Sequence, residues 1–112
     1  MRAYESALLA LADPTRRAIF ERLRREPQAV GRLAQALPVS RPAVSQHLKV
    51  LKDAGLVRDR KVGARRVYAV EREGLAELRR YLDGLWDDAL AAFKAEAERG
   101  ARPAARARRK RS

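Results

Sequence analysis

The sequence has no cysteine and only one histidine, and these two scarcities exclude much of the chemistry that small proteins perform. Without thiols, the chain forms neither disulfides nor thiolate metal sites. The sequence also has no glycine-rich phosphate loop and no pair of carboxylates within a pocket-forming sequence. With a single histidine, it offers no set of side chains typical of a catalytic site. We therefore expect a protein that is not an enzyme and that needs no cofactor.

Long apolar runs are also missing from the sequence. No stretch approaches the roughly 18 apolar residues of a membrane-spanning helix, and the N-terminus lacks the positively flanked apolar run of a signal peptide. These absences predict a cytoplasmic protein without a membrane partner. The 112 residues allow one domain, and a hydrophobic content of 46% gives a modest core that would gain from burying a further face against a second subunit.

Basic residues are in large excess, and they are unevenly distributed. The formal net charge is +12. Residues 1–70 carry 15 basic and 6 acidic side chains, residues 71–99 carry 5 and 8, and residues 100–112 carry 6 and none. A genome that favours arginine codons would raise the arginine content everywhere, but it would not produce an acidic segment. The distribution therefore indicates one surface for a polyanion and another surface for a different purpose.

Capping signals and helical periodicity predict four helices in the first half of the chain. Asp13-Pro14 is typical of a helix start, because Asp caps well and Pro fits the first helical position. Glu26-Pro27 ends that helix, Ser40 caps a later one, and Gly55 closes it in a left-handed conformation. The predicted helices span residues 4–11, 14–25, 29–36 and 40–54.

The second half of the chain reads as a hairpin followed by a long helix. Residues 56–60 and 65–70 are short strands, joined by a loop over residues 61–64 that contains Gly63. A last helix over residues 74–99 has its apolar side chains at nearly heptad spacing, which indicates a seam for a partner helix. Residues 100–112 have no apolar face, so we expect one domain over residues 1–99 and a disordered basic tail. The tail is either a flexible arm attracted to phosphates or a dispensable, solubilising end.

Two short helices joined by a tight turn and followed by a basic hairpin make a winged helix-turn-helix. The expected fold is mainly α, with four helices, a small β-hairpin wing and a fifth helix. In helix 40–54, three apolar residues face inward and a polar set faces outward, as a helix that enters the major groove requires. The inward residues are Val44, Leu48 and Leu51.

The outward side chains suggest distinct roles on double-stranded DNA. Arg41 and Gln46 have the geometry to read guanine and adenine edges, whereas Ser40, Ser45 and Lys49 suit phosphates. The hairpin contributes a cationic wing for the backbone or the minor groove. Exposed basic residues alone usually form only a solvated face. The prediction of DNA binding therefore depends on the turn length, the helix cap, the closing glycine and the basic hairpin, which all occur in the expected order. The predicted DNA-binding residues are Ser40, Arg41, Ser45, Gln46, Lys49, Arg58, Arg60, Lys61, Arg65 and Arg66.

Two runs of the sequence resemble a known family. SRPAVSQHLKVLKDAGLV at residues 40–57 resembles the recognition segment of ArsR-type bacterial repressors, and ALADPTRRAI at residues 10–19 resembles the opening of the same family. The resemblance covers about residues 5–98. It implies a homodimeric autoregulator or operon repressor whose first and last helices build the dimer interface. The expected interface residues are Leu8, Leu75, Leu78, Leu82, Leu85, Trp86, Ala89, Leu90 and Phe93.

The chain departs from the metal-sensing members of this family. Those members carry a Cys-x-Cys pair on the third helix, where this sequence has Ala29 and Gly31. The last helix has no histidine, and its carboxylates at Asp83, Asp87 and Asp88 are typical of a solvated face. The resemblance therefore implies a metal-independent member with no metal site, and it leaves the effector undetermined.

Two single residues keep alternative interpretations. His47 lies on the inner edge of its helix, which favours a packed structural histidine over a ligand. Trp86 is expected in the dimer core, and the alternative is an aromatic wall for a small-molecule effector.

The leading hypothesis is thus a sequence-specific repressor that binds a palindromic operator as a homodimer. The alternative is an architectural, nucleoid-type protein that binds DNA without a specific site. The net charge and the basic tail fit that alternative, but the polar and not uniformly cationic face of helix 40–54 fits it less well. A role at membrane surfaces is disfavoured because the polar face of the last helix is acidic.

Overall fold

The computed structural model describes residues 2–100, which form five helices and a three-stranded sheet. The chain divides into two compact units, one up to Arg79 and one from Arg80 on. From residue 101 onward, the predicted basic tail lies outside the described residues. The elements are α1 (Ala3–Ala12), α2 (Pro14–Arg25), β1 (Gln28–Ala29), α3 (Val30–Ala36), α4 (Arg41–Asp53), β2 (Val57–Val62), β3 (Arg65–Val70) and α5 (Arg72–Arg99).

A capped corner joins α1 to α2. The carboxylate of Asp13 accepts a hydrogen bond from the backbone N–H of Arg16 at 2.9 Å, which confirms the predicted cap and lowers the pKa of Asp13. The side chains of Arg16 and Arg17 turn back and donate to the last carbonyls of α1, at 2.8 Å to Ala10 O and 2.9 Å to Leu11 O. These carbonyls have no partner within the helix itself. The run ALADPTRRAI is therefore a structural corner that sets the direction of α2.

The core of the first unit is built mainly from α1, α2 and α4, and α3 adds Leu33. Val44, Leu48 and Leu51 are fully buried, which confirms the predicted inner face of α4. They pack in one apolar cluster with Ile19 and Leu33 from the two preceding helices. Each such side chain contributes roughly 1.5–3 kcal/mol relative to full exposure. Burial of this stripe fixes which side of α4 faces outward.

The sheet has one strand more than the sequence predicted. Its order is β1-β3-β2, with all neighbours antiparallel and Gln28 paired with Tyr68. The third helix consequently begins at Val30 and not at residue 29. A two-residue strand is too short to produce an alternating pattern, so periodicity could not find it.

The hairpin turn is also tighter than expected. The sequence predicts Lys61 and Val62 in the loop, but they pair with Arg66 and Arg65 as part of β2. Only Gly63 and Ala64 form the turn, and Gly63 has a φ of +63°. Two-residue turns of this kind favour glycine because positive φ values match the twist of the strands.

Helix α4 ends in a Schellman motif centred on Gly55. Gly55 has the predicted left-handed conformation, with a φ of +81°. Its N–H donates to Lys52 O at 2.9 Å, and the N–H of Leu56 donates to Leu51 O at 3.0 Å. The chain then leaves α4 with Leu56 and Val57 buried, so the wing begins at a fixed point of the core.

The first turn of α5 packs directly on this motif. The helix begins at Arg72, two residues before the predicted start. A Cβ added to Gly74 would overlap the carbonyl oxygen of Gly55. Gly74 is therefore not a helix boundary but the contact point at which two backbones touch, and only glycine leaves enough space there. No helix within residues 2–100 combines the length and the apolar content needed to cross a bilayer.

Replacing Gly74 with alanine should destabilise the protein although alanine favours helices. The overlap with Gly55 forces a backbone shift, for which we expect a cost of about 1–3 kcal/mol in the free energy of unfolding. The matched control is Gly84→Ala in the same helix, because a Cβ there meets nothing within 4 Å. That control should be neutral or stabilising by up to about 1 kcal/mol. Urea unfolding of both variants checks this packing, and a Gly74→Ala variant as stable as the control would contradict it.

Candidate nucleic-acid interface

The outward face of α4 carries short polar groups. Ser45 and Gln46 are exposed, and neither makes a side-chain hydrogen bond within the described chain. Ser40 caps the helix, since its hydroxyl oxygen accepts from the N–H of Ala43 at 3.2 Å, while its own O–H is left as a donor. Lys49 lies 3.1 Å from Asp53 in an exposed pair, which costs little to break. All four side chains are on the solvent side, as the sequence predicted.

Arg41 lies apart from this face. It is at the first position of α4, roughly a quarter of a turn from the centre of the face formed by Ser45, Gln46 and Lys49. A Cβ built on Gly31 would be 3.6–3.7 Å from three atoms of the Arg41 guanidinium. The side chain predicted to read guanine is therefore folded against the start of α3.

The predicted wing residues occupy both faces of the hairpin. Because strand side chains alternate, Arg58, Arg60 and Arg65 share one face, and Lys61 and Arg66 share the other. All five are exposed. Their charges are not equally available: Arg58 donates to Val70 O at 3.0 Å and lies 3.8 Å from Glu71. By contrast, Arg60, Lys61 and Arg65 have no ion pair with any described residue.

Asp59 holds the wing against α4. Its side chain is only 7% exposed and accepts from Lys52 Nζ at 2.8 Å and from Arg66 Nη1 at 2.9 Å. Lys52 is on α4 and Arg66 is on β3, so one carboxylate connects the helix to both strands of the hairpin. The hydrogen bond from Lys52 holds the pKa of Asp59 below its usual value of 3.8, against the opposing effect of burial, and the charge of Arg66 adds to the lowering.

Lys52 and Asp59 are not among the residues predicted for the interface. A signal was available, because Asp59 is the only acidic residue among the basic positions of the hairpin. Its place between Arg58 and Arg60 puts it on the opposite strand face from both. An acidic residue at such a position indicates an internal ion pair and not a DNA contact.

The predicted dimer residues are mostly exposed in the single chain. Trp86 is 65% exposed and Phe93 is 64% exposed, and both belong to the second unit. Leu78 differs, since it is 7% exposed and lies in the core of the first unit. The other large members of the set are exposed by between 37% and 50%, namely Leu8, Leu75, Leu82, Leu85 and Leu90; Ala89 is exposed as well. His47 is half-buried.

The comparisons with known proteins agree with this geometry. A family model described as a helix-turn-helix domain matches residues 11–60. The HTH-type transcriptional regulator Rv2034 of Mycobacterium tuberculosis is 61% identical over 92 residues, which cover 82% of this chain and 86% of that protein.

Two solved structures are similar to most of the described region. An ArsR-like transcriptional regulator from Rhodococcus sp. RHA1 is 39% identical, with a TM-score of 0.71, and the match covers 85% of this chain and 92% of that one. A homodimeric winged helix-turn-helix DNA-binding domain of a possible ArsR-family regulator from Mycobacterium bovis is 30% identical, with a TM-score of 0.63. That match covers 79% of this chain and 82% of the other.

Substituting Asp59 with asparagine should loosen the wing and alter the acid dependence of stability. Since the folded-state pKa of Asp59 is lowered, its stabilising contribution is complete above the usual 3.8 and is lost as the pH falls through the lowered pKa. We therefore expect Asp59→Asn to lower Tm at pH 7 by several degrees and to make Tm fall less steeply below pH 4.

The matched control is Asp53→Asn, because Asp53 forms an exposed pair with Lys49. An exposed pair contributes little, so this variant should keep the wild-type Tm and acid slope. Calorimetry between pH 2.5 and pH 7 measures both quantities. Equal effects of the two substitutions would show that Asp59 does not hold the wing.

Proposed function

The chain belongs to the ArsR-type family of winged helix-turn-helix transcriptional regulators, and we propose that it represses transcription as a homodimer bound to a palindromic operator. As a member of this family it is a DNA-binding transcription regulator and not an enzyme. We further propose that it binds a specific DNA sequence, forms a dimer and represses transcription, and that it acts in the cytoplasm.

Sequence specificity is supported by the outward face of α4. Gln46 is exposed there beside Ser45, and no other described side chain uses its amide. An amide of this kind can pair with adenine in two places at once, which is worth about 1–3 kcal/mol of discrimination against a wrong base. The exposed amide of Gln46 makes no hydrogen bond within the described chain, and the opposite face of its helix is fully buried. This observation carries the proposal.

The wing supplies affinity and register but not sequence information. Arg60 and Lys61 lie next to the turn and have no ion-pair partner among the described residues. Exposed cations of this type replace condensed counterions on DNA phosphates. Phosphate contacts of this kind fix the orientation of the protein on the duplex.

Dimerisation is supported by the apolar side chains of α5. Within the second unit, Leu82, Leu85, Trp86, Leu90 and Phe93 recur at helical spacing along one side and are each about half exposed or more. Contiguous exposed apolar surface commonly marks a protein–protein interface. The similar domain from Mycobacterium bovis is homodimeric, which makes a second copy of this chain the expected partner.

A two-fold dimer predicts the form of the operator. Two recognition helices that enter successive major grooves on one face of DNA are about 34 Å apart. Because the two copies are related by symmetry, the operator should be an imperfect palindrome with half-sites one helical turn apart. A dimer on such a site would cover the duplex and block access to an overlapping promoter.

The alternative function is an architectural DNA-binding protein. It is favoured by the net charge of +12 and by the wing cations that have no partner in the described chain. On that alternative, α4 would contribute no discrimination, so changes to α4 and changes to the wing would have the same effect on every DNA sequence.

Gln46→Ala and the double variant Arg60→Gln/Lys61→Gln should affect DNA binding in different ways. Loss of the amide should reduce the preference for cognate over random duplex by about tenfold or more, with the salt slope unchanged. Loss of the two cations should weaken binding to both duplexes and flatten the salt slope by about one for each phosphate that is no longer neutralised. Fluorescence anisotropy at several salt concentrations measures both, and parallel losses in the two variants would favour the architectural alternative.

Trp86 reports on dimerisation because it is the only tryptophan in the chain. It is 65% exposed in the single chain, so burial in a dimer should shift its emission to shorter wavelength. We expect Leu85→Glu to give a monomer in analytical ultracentrifugation, with red-shifted emission and weaker operator binding. Ala91→Glu adds the same charge on the opposite side of the helix and should remain dimeric. A wild-type protein that is monomeric at micromolar concentration would contradict the proposal.

A further inference from the structure

A cleft lies between the start of α3, the first residue of α4 and the tip of the wing. Its volume is about 430 Å³, which is within the range of small-ligand clefts, roughly 300–1,000 Å³. Four of its nine lining residues are arginines and none is acidic. The side chains that matter for its chemistry are Arg32, Arg41, Arg65, Arg66 and Gln35.

The arginines of this cleft differ in how much of their charge is already used. Arg66 is held by Asp59, and Arg32 makes a loose contact of 3.8 Å with Glu26 in which both side chains are more than 60% exposed. Arg41 and Arg65 have no carboxylate partner among residues 2–100. Arg41 and Arg65 line one cleft from different elements, so an anion bound there would be attracted by both positive charges.

Gly31 provides the space for this arrangement. The guanidinium of Arg41 lies where a side chain larger than alanine at residue 31 would have to go, since the Cβ position alone is already in van der Waals contact with it. The conformation of Gly31 does not require glycine, because its φ is not positive. Glycine at residue 31 therefore determines the shape of the cleft and is not required by the backbone conformation.

We propose that this cleft is a binding site for a phosphate group, with Arg41 and Arg65 as its principal ligands and Gln35 as a neutral donor. Guanidinium groups bind phosphate oxygens through paired, charge-assisted hydrogen bonds, which are stronger than neutral ones. The site gives Arg41 a role different from base reading: it would fix the start of α4 relative to the wing through a shared anion. Where the phosphate belongs to bound DNA, the inference rests on the proposed function.

The phosphate has two chemical sources, a backbone phosphate of the operator or a free phosphate ester, and inorganic phosphate is the probe for both. Titration of the dimeric protein at constant ionic strength, with chloride as the replaced anion, should give saturable NMR shifts at the Gly31 amide and at the Nε groups of Arg41 and Arg65. Absence of saturable shifts at these three groups would overturn the proposal.

Two pairs of variants test the site. Gly31→Leu fills the cleft and should weaken phosphate binding by about tenfold or more, whereas Gly31→Ala should bind as the wild type does. Arg41→Gln/Arg65→Gln should give the same loss, and Arg24→Gln/Arg25→Gln removes the same charge from exposed positions on α2 without a loss. The second pair keeps the test valid if Gly31→Leu does not fold. Equal phosphate affinity in Arg41→Gln/Arg65→Gln and in its control would overturn the proposal.

The source is identified by adding duplex DNA to the phosphate-bound protein. A backbone phosphate as ligand predicts that duplex displaces inorganic phosphate from the cleft and that Arg41→Gln/Arg65→Gln lowers the salt slope of duplex binding by about one. A free phosphate ester as ligand predicts that the shifts persist on DNA and that the slope equals that of the control; both results support the site. Failure of the wild type to bind duplex would refute the proposed function and leave the phosphate titration as an independent result.

Discussion

Burial of Val44, Leu48 and Leu51 is the constraint on which the rest of the proposed DNA-binding surface depends. These three side chains are fully inaccessible to solvent, and they fix the rotation of α4 about its own axis. Once that rotation is fixed, Ser45, Gln46 and Lys49 can only point to solvent. The same stripe determines where α4 ends, because the Schellman motif at Gly55 uses the carbonyl of Leu51. The direction in which the chain enters the wing follows from that motif.

The basic side chains of the surface are not equally available to DNA, because some of them already form ion pairs or hydrogen bonds within the protein. Lys52 and Arg66 are bound to Asp59 and stabilise the junction of α4 with the wing. Arg58 is occupied with Val70 and Glu71 at the base of the hairpin. Within the described chain, Arg41, Arg60, Lys61 and Arg65 are the predicted interface cations without a carboxylate partner. Net charge therefore overstates the number of contacts that DNA can gain, since some arginines already have a structural role.

Sequence reasoning located the elements whose signals are local. Asp13 and Ser40 form the hydrogen bonds expected of caps, and Gly55 has the expected left-handed conformation. Each of these depends on a few neighbouring residues, which the sequence displays directly. The inner face of α4 was also predictable from the sequence, because three apolar residues at helical spacing can be buried together only on one side of the helix.

The structural features that could not be predicted from the sequence depend on contacts between residues far apart in the chain. Strand β1 exists because Gln28 and Ala29 pair with β3, about 40 residues away. The sequence predicts a helix start at Gly74, because nothing nearby indicates that this residue touches Gly55. The side-chain chemistry of Arg41 predicts a base contact, but the sequence does not show its position against Gly31, which depends on how α3 and α4 pack. Leu78 has the spacing of a seam residue, but the core of the first unit buries it.

Selection of bound sequences from a random duplex library, followed by competition against scrambled DNA at physiological salt, measures sequence specificity most directly. The account predicts an imperfect palindrome with half-sites one helical turn apart. It also predicts an affinity for that site about 10³-fold or more above the affinity for scrambled DNA. No consensus, together with an affinity ratio near one, would contradict it.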